Sequence, residues 1–259
     1  MKSRIFITVP FLLLALVPSA LAQSGAAERA EDAETVALAN LGFVYAKSGQ
    51  YTRAVETLKH AVRLKPELAE AHYFLGVTYN NMGHHEEAIE SFKEAVRLKP
   101  GWAEAYSGLG VAYNCSKRFV ESVEALNRAI GFKPDWAQPY VNLSVTYTNQ
   151  RLFKEAAKAS QQAIRLEPDL AEAHYRLGVA YGFLDKRAQA VKSFKRAISL
   201  KPDYAEAHMD LGVVYVLLGK KAAAIAQYKR VQALNSSLAD ELFRTIYQGK
   251  VLSVSEQKP

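Results

Sequence analysis

The sequence predicts an all-α fold: a solenoid of six helix-turn-helix repeats finished by a C-terminal capping helix. Three observations predict it. Pro66, Pro100, Pro134, Pro168 and Pro202 stand 34 residues apart, and a fixed period of that length marks stacked supersecondary units. In the register they set, Leu41, Leu75, Leu109, Leu143, Leu177 and Leu211 align, and four residues later so do Tyr45, Tyr79, Tyr113, Tyr147, Tyr181 and Tyr215. Small residues also recur, at Gly42, Gly76, Gly110, Gly178 and Gly212, at Ala54, Ala88, Ala156, Ala190 and Ala224, and at Ala61, Ala95, Ala129, Ala163 and Ala197.

Residues 1–22, MKSRIFITVPFLLLALVPSALA, open with Lys2 and Arg4, continue as an apolar run from Ile5 to Val17, and end on the small-residue triplet Ala20-Leu21-Ala22. That order is the pattern of a cleavable signal peptide. The run is shorter than the roughly 20 apolar residues of a membrane span and holds Pro10. The chain is therefore expected to be exported, periplasmic or secreted, with no membrane span after signal removal. Residues 23–34, rich in Ala and Glu, are a linker or an N-terminal extension of the first helix.

The six repeats cover 35–68, 69–102, 103–136, 137–170, 171–204 and 205–238. In each, a bulky residue (Leu38, His72, Tyr106, Tyr140, His174 or His208), the Leu and the Tyr are spaced i, i+3, i+7 and share one helix face. That face is the expected core. The small columns let the two helices of a hairpin approach, and the proline ends the second helix. Asp169 with Glu172 and Asp203 with Glu206 read as capping boxes at the next helix start, with Asp135 to Gln138 a near match. A single hairpin cannot bury its apolar face, whereas stacked hairpins can. Residues 239–249 (ADELFRTIYQG) are expected to cap the stack, with Leu242, Phe243 and Ile246 inward, and residues 250–259 to be a loose tail. The fourth repeat departs most, through Pro139, Ser144 in the Gly column and Ser160 in a column of large apolar residues. It is expected to pack most loosely.

These columns resemble those of the tetratricopeptide repeat family from Thr35 to about Leu238. The resemblance implies a right-handed superhelix whose first helices line a concave groove that holds extended peptides or partner helices, and it implies no reaction. The Lys and Asn with which chaperone-binding members grip a terminal carboxylate are missing, since Ala39 and Phe43, or Tyr73 and Val77, stand in their places.

No phosphate-cradling glycine loop, HExxH, nucleophile elbow or CxxC occurs, so no enzyme, cofactor or metal is expected. His72, His174 and His208 sit in the bulky core column and read as packed imidazoles. The one cysteine, Cys115, makes no intrachain disulfide and is expected to be mostly covered. The 33 basic and 26 acidic residues give +7. Residues 1–22 carry two of the bases and no acid, so their removal leaves +5, a balance that argues for no nucleic-acid partner.

The surface with most to say is the one opposite the core leucines on the first helices. There Phe43, Val77, Val111, Val145, Val179 and Val213 form an apolar row. Neighbouring first helices cover this row in one reading; in the other it is a binding track. Its polar flanks are Tyr73, Asn80 and Asn81 in the second repeat, Ser107 and Asn114 in the third, Asn142 and Asn149 in the fourth, and Tyr175 and Arg176 in the fifth. Asparagine offers both donor and acceptor, a chemistry suited to the backbone of an extended chain. The expected function is a non-catalytic protein-interaction scaffold with a protein or peptide partner. A glycan-binding or envelope-assembly factor using the same groove is the alternative.

Overall fold

The computed structural model describes residues 17–248, with side chains from 32 to 247. The first sixteen residues of the expected signal peptide and the expected tail, 250–259, lie outside the described residues. Thirteen α-helices and no strand occur among the described residues, an all-α repeat solenoid. Backbone contacts divide the chain at the Pro100–Gly101 junction. The first unit holds α1 (Val17–Lys47), α2 (Tyr51–Leu64), α3 (Ala69–Asn81) and α4 (His85–Leu98). The second holds α5 (Ala103–Cys115), α6 (Phe119–Phe132), α7 (Ala137–Asn149), α8 (Phe153–Leu166), α9 (Ala171–Phe183), α10 (Arg187–Leu200), α11 (Ala205–Leu217), α12 (Lys221–Leu234) and α13 (Ser236–Gln248). α1 runs unbroken through residues 23–34.

The turn between the two helices of every hairpin is the same. The N–H of Gln50, His84, Arg118, Leu152, Lys186 and Lys220 bonds back to the carbonyl of the aligned tyrosine five residues earlier. This is the closing bond of a Schellman turn, which places the preceding residue in the left-handed region. Gly49, Gly83 and Gly219 take that conformation without strain, but Lys117 (φ 60°), Arg151 (φ 62°) and Asp185 (φ 54°) occupy it too.

At the start of the next repeat the expected capping boxes do not form. The N-cap residues are Leu68, Trp102, Trp136, Leu170 and Tyr204, none with a side-chain cap hydrogen bond. Asp169 lies one residue too early and instead bonds Arg196 at 2.7 Å. Each of these N-caps is a half-buried large apolar or aromatic side chain. Half-burying a Leu contributes about 1 kcal/mol, close to the ~1 kcal/mol of a side-chain cap, so the junction loses little by forgoing the cap.

The aligned glycines accommodate the second helix's large residue. A Cβ on Gly42 would meet Leu58 at 2.5 Å, on Gly76 Phe92 at 2.8 Å, on Gly110 Leu126 at 2.6 Å and on Gly178 Phe194 at 2.6 Å. In the fourth repeat both partners change together. Ser144 and Ser160 are fully buried and bond each other at 2.7 Å. The Ser160 hydroxyl sits where a ring would collide with the Ser144 Cβ, so the expected loose repeat is closed by a matched pair. Pro139 is the third residue of α7, where the backbone N–H has no intrahelical partner in any case.

The sixth glycine is filled from elsewhere. A Cβ on Gly212 would meet Leu242 of α13 at 2.7 Å, while Tyr228, the aligned residue of α12, turns to the Phe243 ring. α13 begins at Ser236, three residues before the expected start, because the Asn235 side chain accepts the Leu238 N–H at 3.2 Å. Its buried stripe is Ala239, Leu242, Thr245 and Ile246. Phe243, expected inward, is 42% exposed and packs sideways on Tyr247, since its position falls off that stripe. At the other end, Leu41 (42%) and Val44 (57%) are exposed, although the aligned Leu75, Thr78, Leu177 and Ala180 are buried. In those repeats a preceding hairpin covers the face; none of the described residues does so for α1.

Candidate functional site

In the first unit the first-helix face is largely spent on internal packing. The Phe43 and Phe74 rings stack at 4.7 Å. The Tyr73 ring leans on Phe74 and Phe92, Val77 is half-buried, and the Asn80 side-chain Oδ1 accepts a hydrogen bond from His85 Nδ1 at 3.0 Å. Asn81 is exposed.

In the second unit the first helices α5, α7, α9 and α11 stand in sequence, each touching the next. Val111, Val145 and Val179 are half-buried and Val213 is buried, so neighbouring helices cover much of the apolar row. Beside it run amide bridges between adjacent repeats. Asn142 Nδ2 donates to Ser107 Oγ at 3.3 Å, and Asn149 Nδ2 donates to Asn114 Oδ1 at 3.0 Å. Both pairs are 35 residues apart, so they sit at equivalent places along the same two helices. Ser107 is buried and acts as an anchor, not as open lining. Each bridge uses one donor of an amide that has two and leaves acceptor capacity on the donating partner. Hydrogen-bonding capacity thus remains at Asn114, Asn142 and the exposed Asn149. Beneath this face Ser122 donates to the Gly110 carbonyl at 2.7 Å and lies 2.9 Å from Thr146 Oγ1, which fixes α5, α6 and α7 together.

At the α9–α11 end the same face carries charge. Asp210 is only 8% exposed. Burial, together with the Glu241 and Glu206 carboxylates, pushes it up to about 7, against the lowering pull of the Tyr175 hydrogen bond and Arg176. Tyr175 is raised as well, first by its own burial and then by Asp210, and burial pushes Tyr204 up to about 12. Arg176 lies over the Tyr175 ring, 5.3 Å from its centroid, and bonds Glu172 at 3.2 Å. Its Nε is buried with no hydrogen-bond partner. The sequence pointed to Tyr175 and Arg176 but not to Asp210 as their partner. The signal available was its column, where Asn142, Arg176 and Asp210 follow at 34-residue steps.

The histidines of the bulky column have a structural task. Nε2 of His72, His174 and His208 donates to the carbonyl of Pro66, Pro168 and Pro202, at 2.8, 2.8 and 3.1 Å, fastening the helix to the loop before it. Among the described residues no group of three His, Cys, Asp or Glu is placed to hold a metal. Cys115, expected to be covered, ends α5 with its side chain exposed; burial of the part that remains covered raises its thiol pKa. None of the described helices is long and apolar enough to cross a membrane.

A hairpin repeated on a 34-residue period with this turn, this glycine pairing and these columns defines a helical-repeat interaction protein. Tetratricopeptide repeat models match residues 42–83, 153–183 and 186–219, residues 69–101 and residues 205–237, and the chain belongs to the tetratricopeptide repeat family. No curated protein sequence matches it. Among solved structures it resembles MamA, with 30% identity over 64% of this chain and 96% of that one and a TM-score of 0.56. It also resembles PilW, described as a widely conserved type IV pilus biogenesis factor, with 21% identity, coverage of 82% and 98%, and a TM-score of 0.74. A third likeness is to the Cut9–Hcn1 hetero-tetramer of the APC/C, with 20% identity, 82% of this chain and a TM-score of 0.72; the chain spans 43% of the length of that protein. The last two likenesses are of fold alone. Proteins of this repeat family are typically non-catalytic interaction scaffolds.

Proposed function

We propose that the chain is an exported, non-catalytic scaffold that binds an extended segment of a partner protein along the first helices of its second unit. The observation that carries this reading is the pair of amide bridges Ser107–Asn142 and Asn114–Asn149. They hold asparagine side chains at a fixed spacing beside a half-apolar row, so a peptide backbone can bond to them whatever its sequence. Preorganisation of this kind reduces the ordering cost of binding. Export rests on the leader of residues 1–22, with its basic start, short apolar run and small residues before Gln23. Membership of the repeat family supports a protein partner. An envelope-assembly role agrees with the leader.

A glycan ligand fits less well. Tyr175, the aromatic best placed to stack on a sugar, packs on Tyr204 and has its hydroxyl engaged by Asp210.

The test replaces Asn114, Asn142 and Asn149 by Ala in the processed chain and compares what each protein captures from envelope extract after cross-linking. Loss of a protein cross-linked to the wild type is the expected result. An unchanged set of captured proteins, with circular dichroism showing an intact fold, places binding on another face and defeats the assignment.

A further inference from the structure

On the opposite side of the second unit, between the second helices of the fourth and fifth repeats, lies a cleft of about 750 Å³. α8 and α10 make no direct backbone contact and α9 lies between them, so the cleft has walls from α8 and α10 and a floor from α9. The floor is Leu177 and Tyr181, and Arg165, Lys192 and Arg196 stand on the walls. Among the described residues no carboxylate lines it. Its size falls in the usual range for small-molecule sites, about 300 to 1,000 Å³.

Single bases recur in the columns of Arg165, Lys192 and Arg196, as at Lys158, Arg128, Arg230, Arg63 and Arg97, but the pair Lys192 and Arg196 on one helix does not occur in the other repeats. Lys192 and Arg196 align with Glu90 and Glu94 of the second repeat, where the two acids pair with Lys93 and Arg97 at 2.8 and 2.6 Å. In the fifth repeat both positions are reversed in sign. α10 carries Arg187, Lys192, Lys195 and Arg196 and no acid. Among the described residues neither Arg165 nor Lys192 has an ion-pair partner. Arg196 is held by Asp169 through one NH2 group, and a guanidinium carries five N–H donors, so most of its donors remain available. Gln161 Nε2 donates to the Tyr181 hydroxyl at 2.9 Å, which leaves the tyrosine O–H free to donate. Concave placement of two cations without an ion-pair partner beside a singly paired arginine, with neutral donors between them, concentrates positive potential, and planar arginine forks match phosphate oxygens.

We propose that this cleft binds a compact ligand bearing two or three phosphate groups, held by Arg165, Lys192 and Arg196. The phosphates can belong to a soluble metabolite-sized polyanion or to a lipid headgroup, and the experiment separates these sources. Calorimetry with inorganic tripolyphosphate and flotation with vesicles of cardiolipin, a lipid whose headgroup carries two phosphates, are run on the wild type, on R165Q/K192Q, and on K195Q/K229Q. The last pair removes the same charge from exposed positions outside the cleft.

Saturable tripolyphosphate binding, weakened at least tenfold in R165Q/K192Q and less than twofold in K195Q/K229Q, is the expected result and assigns a soluble ligand. Vesicle binding with the same dependence on the two variants assigns a lipid headgroup. Absence of both, or equal weakening in the two double variants, reduces the cleft to diffuse surface charge and overturns the proposal. The changed side chains are exposed and make no hydrogen bond or ion pair among the described residues, so circular dichroism of all three proteins is expected to superimpose. This outcome is independent of the groove variants, which leave α8 and α10 untouched.

Discussion

Ser144 and Ser160 bond each other at 2.7 Å, fully buried, at the place where the second, third and fifth repeats set a glycine against a phenylalanine or leucine. The two departures from the repeat pattern are one substitution in physical terms. Ser160→Phe alone drives a ring into the Ser144 Cβ and is expected to destabilise by about 1 to 3 kcal/mol. Ser144→Gly alone leaves the Ser160 hydroxyl buried without its partner, at about 1 to 3 kcal/mol. The double change restores the glycine–phenylalanine pair, and urea unfolding of the four proteins is expected to give a coupling energy of 1 kcal/mol or more. Additive effects would mean the two hydroxyls act independently.

The left-handed turn residues give a prediction of opposite sign. Lys117 and Arg151 hold positive φ, a conformation that carries a penalty of about 1 to 2 kcal/mol for an L side chain. Lys117→Gly and Arg151→Gly are each expected to raise stability by about 0.5 to 1 kcal/mol, after the greater freedom glycine brings to the unfolded chain. Asp185→Gly gains less, because aspartate tolerates the region better and Asp185 also bonds Arg187 at 2.7 Å. Scanning calorimetry that ranks Asp185→Gly first would contradict this account.

Asp210 ties stability to pH. Its folded value of about 7 lies above the ordinary 3.8, so the native state binds the extra proton between the two. Stability is full below about 4 and falls as pH rises to about 7. At pH 8 Asp210→Asn is expected to be more stable than the wild type, by at most about 4 kcal/mol, with the difference shrinking towards pH 4. The groups that set this are Tyr175 and Arg176 on α9, Glu206 on α11 and Glu241 on α13. Equal pH profiles for the two proteins would show that Asp210 is neutralised in some other way.

α13 completes the sixth repeat by filling the space over Gly212. Leu242→Ala removes a fully buried side chain and is expected to destabilise the C-terminal end by about 2 to 5 kcal/mol. Hydrogen exchange is expected to speed first in α11, α12 and α13. Uniform acceleration through residues 101–248 would instead show that the second unit unfolds as a single cooperative block.

The 34-residue prolines, the Leu–Gly–Tyr columns and the small residues made the six hairpins legible, because a helix boundary and an amphipathic face are local properties written in residue spacing. The asparagines of the candidate groove were legible for the same reason: their place on a helix follows from counting. What they bond to was not. The Asn149–Asn114 bridge joins residues 35 apart, and such a pairing depends on how closely adjacent first helices approach. The same limit applies to Leu242 over Gly212, to Asp169 leaving its capping role for Arg196, and to Asp210 beneath Tyr175. By itself the sequence determined the six hairpins, their 34-residue period and the apolar face that each first helix turns to its own hairpin. Only the tertiary structure decided which side chains from different repeats meet, because that depends on stacking geometry and on what is already buried there, neither of which is encoded in any one repeat.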